Sequence, residues 1–278
     1  LDESIEARLS DLGSRIASPR SITRVVGAAG DGKTRTVLEA LKRLPLAQTV
    51  LYARQVTDVT PSFLAHLRRT PDIHCTLVID EVDDAEAAIL TDWFNVMPDG
   101  VRLIMIGLDA SGRAQQGTLQ VEGLSEDLLV AAIAAIVPGL PEETTRSIAR
   151  DCEHSPKLAV LIAGRIKEDP SLVIPHRILA DGTVWNTLDR YLSIGQNSPE
   201  WEALSTTALL MRLGWLEEAE SESEVLFGAV NLDPTIARRH VQRLNERFGI
   251  APLAGRFRYL SPAILGDFLA AKQLDAWT

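Results

Sequence analysis

The sequence has few of the features that mark secreted, metal-bound or membrane-spanning proteins. It has two cysteines, Cys75 and Cys152, too far apart for a metal-binding pair, and we expect both to be reduced and buried. Its five histidines have no spaced partner, which argues against zinc chemistry. The longest apolar run, Leu128 to Val137, falls short of the roughly 20 residues that span a bilayer, and we see no signal peptide. We therefore expect a cytoplasmic protein without membrane contact.

A surplus of basic residues is also absent. The formal net charge is −10, which argues against non-specific binding of nucleic acid by the whole surface but leaves room for a local basic patch. Apolar residues make up 46% and charged residues 24%, as in folded globular proteins. A chain of 278 residues is long for one core, so we expect more than one module.

The first part of the chain alternates between two periodicities. After a helical pattern over residues 3–18, short runs rich in branched aliphatic residues alternate with helical patterns at 34–44, 61–69 and 84–96. This alternation predicts an α/β domain, residues 1–122, with a parallel sheet covered by helices on both faces. The five predicted strands are Ile22–Val26, Thr49–Ala53, Thr76–Asp80, Val101–Gly107 and Thr118–Val121.

The second part of the chain is predominantly helical. Residues 123–182 are predicted to form an all-helical lid domain that ends in a Pro- and Gly-punctuated linker. Residues 183–278 are predicted to form a winged-helix domain, because an apolar helical stripe is followed by two short strands around Ala254 and Gly255. The helical patterns lie at 126–137, 142–152, 156–167, 183–194, 199–213 and 221–230, and a last apolar helical stripe runs from Ile236 to Phe248.

The octet GAAGDGKT fits the phosphate-binding pattern G-x-x-x-x-G-K-[ST] between a predicted strand and a predicted helix. Its glycines permit the close approach of backbone N–H groups to phosphate oxygens, and the start of the helix adds its dipole. Lys33 is expected to contact the β and γ phosphates, and Thr34 to ligate Mg²⁺. The predicted nucleotide-binding residues here are Gly27, Ala28, Ala29, Gly30, Asp31, Gly32, Lys33, Thr34 and Arg35.

A second pattern, TLVIDEVDD, places two carboxylates at the end of a predicted buried strand. Asp80 is expected to hold Mg²⁺, and Glu81 to orient or deprotonate the attacking water. Lys33 and Glu81 are the predicted catalytic residues. Each pattern alone also fits an ordinary structural role, but together and in this order they predict a nucleotide hydrolase.

These two motifs resemble those of the additional-strand P-loop ATPases, which include the AAA+ machines and the STAND family. The resemblance implies ATP or ADP and Mg²⁺ as ligands, and a P-loop NTPase parallel sheet of order 5-1-4-3-2 with RLIMIG inserted beside the loop strand. The segment containing Pro156, Leu158 and Ala159 is similar to a STAND motif whose proline packs near the nucleotide. A proline in a first helical turn is also common without that role.

The chain departs from the STAND pattern at two positions. Members usually carry an arginine after the inserted strand as a γ-phosphate sensor, whereas Leu108 occupies that place and Arg113 is a displaced candidate. Many members place a histidine in the winged helix to hold ADP, whereas FRYLSPAILGDFL has none, so either Ser261 or Arg258 substitutes or the ADP-bound state is weaker. No arginine finger is identifiable either, and together these departures argue against fast, autonomous hydrolysis.

The function implied by the resemblance is a nucleotide-operated switch. ADP would hold the domains closed, and ATP exchange would open them so that protomers self-associate within a larger signalling or defence protein. Effector and sensor domains would lie outside this chain. The preference for adenine over guanine rests on the resemblance alone.

Two other functions remain open from the sequence. The basic run of residues 234–258 is consistent with an ATP-modulated DNA-binding regulator, in which Arg238, Arg239 and Arg243 would contact the duplex. We regard DNA as a less favoured partner, because such a face also serves for packing within a chain. A motor ATPase would need a trans-acting arginine and pore loops, and neither is identifiable.

Overall fold

The structure is a computed structural model that describes residues 3–44, 49–108, 117–152, 154–170, 194–195 and 198–275. The chain divides into two compact units. The first comprises residues 1–28 and 32–122, and the second comprises residues 29–31 and 123–278. The predicted linker, 168–182, and the predicted helix, 183–194, lie almost entirely outside the described residues.

The first unit alternates strands and helices. Its strands are β1 Ile22–Gly27, β2 Thr49–Ala53, β3 Cys75–Ile79, β4 Val101–Leu108 and β5 Thr118–Gln120. Its helices are α1 Glu3–Ala17, α2 Lys33–Arg43, α3 Pro61–Arg69 and α4 Asp84–Phe94. Two of the helices begin at side-chain caps: Thr60 accepts from Phe63 N, and Asp83 and Glu86 form a reciprocal capping box.

The five strands form one parallel sheet in the order β2-β3-β4-β1-β5. This order is the one that the family resemblance implied, and it confirms that β4 lies between the loop strand and the acidic strand. β3 is buried throughout and β4 is buried up to its last residue, because the central strands of such a sheet are covered on both faces.

Each face of the sheet carries its own apolar core. On one face Leu12, Ile16, Val37 and Ala40 of α1 and α2 pack against strand residues such as Ile106. On the other face, residues of α3 and α4 pack against the alternate strand positions, including Leu67, Leu90, Phe94, Ile79 and Leu103. The alternation of strand side chains therefore produces a three-layer sandwich in which both faces are covered.

The second unit begins with three helices, α5 Glu126–Ile136, α6 Glu142–Asp151 and α7 Pro156–Glu168. Their shared core contains Leu129, Ile133, Ile148, Cys152 and Ile162. Ser155 caps α7 by accepting from Leu158 N, and Pro156 takes the first helical position, where a missing N–H costs nothing.

The rest of the second unit has the elements of a winged helix. Helices α8 Pro199–Ala208, α9 Ser221–Ala229, α10 Pro234–Phe248 and α11 Ala263–Asp275 surround a core that includes Trp201, Trp215 and Phe227. Strands β6 Leu213–Gly214, β7 Leu253–Ala254 and β8 Phe257–Arg258 form an antiparallel sheet in the order β6-β8-β7.

The helix predicted over 199–213 is shorter than the pattern suggested. It ends at Ala208, and residues 213–214 instead pair with β8. Gly214 permits this, because a Cβ there would collide with the carbonyl oxygen of Ala219. The apolar residue at the end of the predicted helix belongs instead to the small antiparallel sheet. This is a tertiary contact, and local periodicity does not indicate it.

Candidate nucleotide and magnesium site

The phosphate-binding octet connects β1 to α2. Gly27 is the last residue of β1 and pairs with Leu108 of β4. Gly30 and Gly32 have φ of 96° and 87°, the left-handed region that glycine adopts without steric cost. Gly32 is the residue before α2, and no atom lies within 4 Å of where its Cβ would be. The loop therefore has the backbone geometry that an anion-binding turn requires.

Two residues at the start of α2, Lys33 and Arg35, differ in their contacts. Lys33 begins α2, and its Nζ donates to the carbonyl oxygens of Gly27 at 3.1 Å and Ala28 at 2.8 Å. Its ammonium thus lies over the loop. Arg35 is exposed and pairs with Glu39 one turn later in the helix, at 2.8 Å. Arg35 thus makes a contact along α2, and its predicted contact with nucleotide stays a prediction.

The carboxylate of Asp80 lies directly beside the loop. Thr34 Oγ1 donates to Asp80 Oδ2 at 2.8 Å, so the two motifs that lie far apart in sequence meet here. The Tyr52 hydroxyl donates to the same oxygen at 2.9 Å, and the Glu81 amide donates to Oδ1 at 2.9 Å. Asp80 is only 9% exposed. Partial burial of its ring and hydroxyl, followed by the charge and hydrogen bond of Asp80, raises the pKa of Tyr52 above its usual range, although the residue as a whole is exposed.

The segment that carries Glu81 is fixed to the neighbouring strand. Glu81 has φ of 55°, which is uncommon for a residue with a side chain, and marks a sharp turn after β3. The next amide, Val82 N, donates to Ile106 O of β4 at 2.8 Å. Asp84, at the start of α4, forms an ion pair with Arg24 of β1. The turn is therefore held from both β4 and β1.

The residues present fit a magnesium-bound nucleotide. Mg²⁺ in such sites takes oxygen ligands from one or two protein groups and completes its shell with phosphates and water. Thr34 and Asp80 supply that chemistry, and the described residues contain no cluster of three or more His, Cys, Asp or Glu that could form an all-protein metal cage. The loop amides, the start of α2 and Lys33 supply the complement for phosphate charge.

The structure gives less support to the residues predicted to sense the γ phosphate or to hold ADP. Leu108 is the last residue of β4, so no arginine stands at that strand end among the described residues. Arg113 lies outside the described residues. Ser261 Oγ accepts from Lys157 Nζ at 2.9 Å, and Lys157 also donates to Gly249 O at 2.6 Å. Pro156 precedes Lys157 in α7, and its contact with nucleotide stays a prediction.

The arginines predicted to contact DNA are not equivalent. Arg238 forms an ion pair with Glu220, donates to Trp215 O at 2.6 Å and lies over the Trp215 ring. Arg239 and Arg243 are exposed, and no ion pair links either to another described residue. Only the latter two therefore present their charge to solvent.

The arrangement of strands and the position of the phosphate-binding loop together identify the architecture. The fold is that of the AAA+ and related P-loop NTPases. No protein-family model matches the chain, and no curated protein matches its sequence. Among solved structures, Drosophila ORC bound to DNA is similar over 96% of this chain and 85% of that chain, with TM-score 0.50 and 16% identity. That likeness concerns the P-loop fold alone.

Two further structures with this P-loop fold resemble the chain more loosely. The STAND protein with a tetratricopeptide repeat sensor from Pyrococcus horikoshii has TM-score 0.45 and 11% identity; the match covers 95% of this chain and 42% of that chain. Cdc6p from Pyrobaculum aerophilum has TM-score 0.47 and 14% identity, with 99% of both chains covered. None of the described helices in the present chain is long and apolar enough to cross a membrane.

Three contributors to this site are not predicted from the sequence. Tyr52 reaches Asp80 from β2, Arg24 pairs with Asp84, and Gly107 accommodates the carbonyl of Val82. One signal was available for Tyr52: it lies one residue before the end of a strand next to the acidic strand. The carboxyl ends of parallel strands meet at one edge, where sites in such sheets lie.

Proposed function

We propose that the chain binds ATP with Mg²⁺, hydrolyses it slowly, and uses the exchange of ADP for ATP as a switch within a larger signalling or defence protein. The main support for a nucleotide site is the 2.8 Å hydrogen bond from Thr34 Oγ1 to Asp80 Oδ2. It joins the helix that follows the loop to the acidic strand in the arrangement a metal-bound triphosphate requires.

Each residue of the site has a distinct proposed role. The loop amides and Lys33 bind the β and γ phosphates, and Thr34 and Asp80 hold the metal. Bound Mg²⁺ supplies charge neutralisation of the phosphate oxygens. Glu81 orients a water for in-line attack on the γ phosphorus and accepts its proton, while the bond between that phosphorus and the β–γ bridging oxygen breaks and ADP leaves.

The slow rate follows from what stands at the end of β4. A cation there would stabilise the charge that develops on the transferring phosphoryl group, a role in which an arginine finger contributes about 10³- to 10⁵-fold in related enzymes. Leu108 cannot supply that charge. The basal rate of this chain is therefore expected to be low unless Arg113, which lies outside the described residues, or a partner supplies that cation.

A switch further requires that ATP and ADP favour different states. To move a two-state population from 1:99 to 99:1, one ligand must bind the favoured state about 10⁴-fold more tightly. The γ-phosphate and its metal are the groups that can provide such a difference. The helices α5 to α7 and the winged helix are the elements whose arrangement would respond, and self-association would follow in the ATP state.

The test is the identity of the nucleotide carried by the purified protein. After denaturation of the native chain, chromatography should show ADP in near-stoichiometric amount, and none from the Lys33→Ala variant. A site without nucleotide in wild type that turns over added ATP rapidly would contradict the switch and favour a cycling ATPase. Light scattering with ATP and ADP would then show whether mass depends on the nucleotide.

DNA binding is the second candidate, and a specific observation favours it. Arg239 and Arg243 are four residues apart on α10, both are exposed, and Ile236 on the same face is 52% exposed. Side chains at this spacing share one helix face, as in a helix that contacts duplex phosphates. Three other arginines of the region are committed elsewhere: Arg238 to Glu220, Arg256 to Glu218, and Arg258 to Ala251 O. Arg247, at the end of α10, is exposed and lies over the ring of Phe248.

The experiment for this candidate measures binding to duplex DNA over a range of salt concentrations. Replacing both Arg239 and Arg243 by Ala should lower the salt slope by about 0.9 for each phosphate that the variant no longer neutralises. The matched control is the double replacement of Arg68 and Arg69, which are exposed on α3 of the first unit and change the net charge equally. Equal weakening by both pairs would exclude a specific role for α10.

A further inference from the structure

Tyr52 makes a contact that neither motif explains. It lies on β2, the edge strand, and the residue is 55% exposed, yet its hydroxyl donates to Oδ2 of the buried Asp80 at 2.9 Å. A tyrosine on an exposed edge has water available for its hydroxyl. Here the hydroxyl is directed instead at the carboxylate to which the proposed function gives the metal.

Strand register accounts for this contact. Tyr52 pairs with Val78 of β3, and the pairing continues past the strand because Asp80 N donates to Ala53 O at 3.0 Å. Val78 and Asp80 are two residues apart and so lie on one face of the sheet. The hydroxyl of Tyr52, on the neighbouring strand and the same face, spans this diagonal separation to the Asp80 carboxylate. Of the common side chains with a terminal donor, tyrosine combines this length with few rotatable bonds.

The hydrogen bonds of Asp80 show what the tyrosine does. A carboxylate has about four lone-pair sites. Thr34 and Tyr52 both donate to Oδ2, and the Glu81 amide donates to Oδ1. Three of the four lone-pair sites of the Asp80 carboxylate thus accept hydrogen bonds, and both of its oxygens are held. The one remaining acceptor position is on Oδ1. The tyrosine therefore helps to fix which carboxylate oxygen is available to an incoming cation.

We infer that Tyr52 is a positioning residue of the magnesium site, which fixes the orientation of Asp80 through its hydroxyl and thereby sets the affinity for the divalent ion. The inference rests on the proposed function, because it assumes that Asp80 holds Mg²⁺ of a bound nucleotide. It assigns Tyr52 no contact with the nucleotide itself. The role of Tyr52 is separate from the proposed role of Lys33, which binds the phosphates directly and not through the metal.

The test separates metal affinity from nucleotide affinity. Binding of a fluorescent, non-hydrolysable ATP analogue is measured in EDTA and then against free Mg²⁺, with Tyr52→Phe beside wild type. Outer partners of metal ligands typically contribute 10- to 100-fold to affinity, so the Mg²⁺ needed for half-effect should rise about tenfold or more. Affinity in EDTA should stay unchanged. Titration with Mn²⁺, followed by the paramagnetic signal of the free ion, gives the same quantity directly.

The matched control is Val50→Thr. Val50 lies two residues earlier on the same face of β2, is 38% exposed, and pairs with Thr76 far from Asp80. It should leave the Mg²⁺ requirement unaltered. An unchanged requirement in Tyr52→Phe, with nucleotide still bound, would overturn the inference. So would an equal change in the Val50 variant, because that would indicate a general effect on the edge strand.

A double-variant cycle then checks that Tyr52 acts through Asp80. In an Asp80→Asn background, adding Tyr52→Phe should change the Mg²⁺ requirement by less than about twofold, since residues that act as a unit are not additive. A full tenfold effect in that background would contradict the inference. A failure of the proposed function would give a different result from a failure of this inference alone. The wild-type protein itself would bind no analogue in EDTA or in Mg²⁺, and both the proposed function and the inference would then be rejected. Circular dichroism confirms that each variant is folded.

Discussion

The carbonyl oxygen of Val82 lies where a side chain on Gly107 would be. A Cβ built on Gly107 would approach that oxygen more closely than real Cβ atoms ever do. Val82 N also donates to Ile106 O at 2.8 Å, so the turn after β3 rests directly on the end of β4. The position of Glu81, one residue earlier, therefore depends on the absence of a side chain at residue 107.

Gly107→Ala is expected to displace the turn that carries Glu81. Overpacking of this kind costs roughly 1–3 kcal/mol in stability, and a misplacement of about 1 Å in a catalytic group can cost about 10²-fold in rate. Nucleotide affinity should fall far less than turnover, because the loop and Lys33 are untouched. Steady-state hydrolysis and binding of an ATP analogue measure the two effects separately.

The control for this variant is Gly164→Ala. Gly164 lies inside α7, and no atom lies within 4 Å of its Cβ position. Removing a glycine from a helix interior should stabilise the chain by about 0.5–1 kcal/mol and leave hydrolysis unchanged. Equal loss of turnover in both variants would show that the Gly107 effect is not local to the turn.

Lys33→Ala is expected to abolish nucleotide binding. The ammonium lies over the loop, 2.8 Å from Ala28 O, where it would complement phosphate charge. Isothermal titration with ATP and ADP measures the change, with Lys42→Ala as the control. Lys42 is on the same helix, exposed, and paired with Glu39. Retained affinity in the Lys33 variant would reject the assignment of the loop.

Glu81→Gln should leave ATP binding within about threefold of wild type, and lower turnover by about 10²- to 10⁴-fold, the range of a lost general base. The amide keeps the shape of the side chain but cannot accept the proton. Single-turnover hydrolysis of labelled ATP separates binding from chemistry. Asp92→Asn, an exposed change on α4, removes the same charge and should be silent. Survival of turnover in the Glu81 variant would mean that another group orients the water.

Local patterns in the sequence were enough to predict the five strands and their parallel arrangement, because strands that alternate with helices leave few ways to bury every apolar face. The strand order, which the structure confirms, was implied by the resemblance of the two motifs to those of the additional-strand P-loop ATPases. The predicted helix over 199–213 was too long. Its last residue, Leu213, and the next residue, Gly214, pair with a strand more than forty positions later, and local periodicity does not indicate such a contact.

The candidate site divides in the same way. The loop is one continuous segment and Asp80–Glu81 is another, so residue type and order are enough to predict the chemistry of each. The roles of Tyr52 and Gly107 cannot be predicted in this way, because they depend on which strands are neighbours and in what register. The three arginines predicted to contact DNA showed a further limit. Helical periodicity places them mostly opposite the apolar stripe, but it does not show that Arg238 is committed to Trp215 and Glu220.

The two kinds of arginine on α10 should differ in their effect on stability. Arg238→Ala removes an ion pair, a hydrogen bond to a backbone carbonyl and a cation–π contact at 5.3 Å, and should cost about 1–3 kcal/mol. Arg239→Ala changes an exposed side chain and should stay within about 0.5 kcal/mol of wild type. Urea denaturation followed by tryptophan fluorescence gives both values. Similar costs would mean that the packing around Trp215 does not depend on Arg238.

The two cysteines should be inert towards thiol reagents until the chain unfolds. Both are free and buried, one in β3 and one at the end of α6. Burial, followed by the charge of Asp151, raises the pKa of Cys152 to about 12, and burial raises that of Cys75. At pH 8 only about 10⁻⁴ of Cys152 is thiolate, the form that reacts. Reagent should therefore label neither cysteine in the native protein and both in denaturant. Cys75→Ser and Cys152→Ser variants assign any native reaction to one unit, and rapid labelling of Cys152 would show that the core of α5 to α7 opens readily.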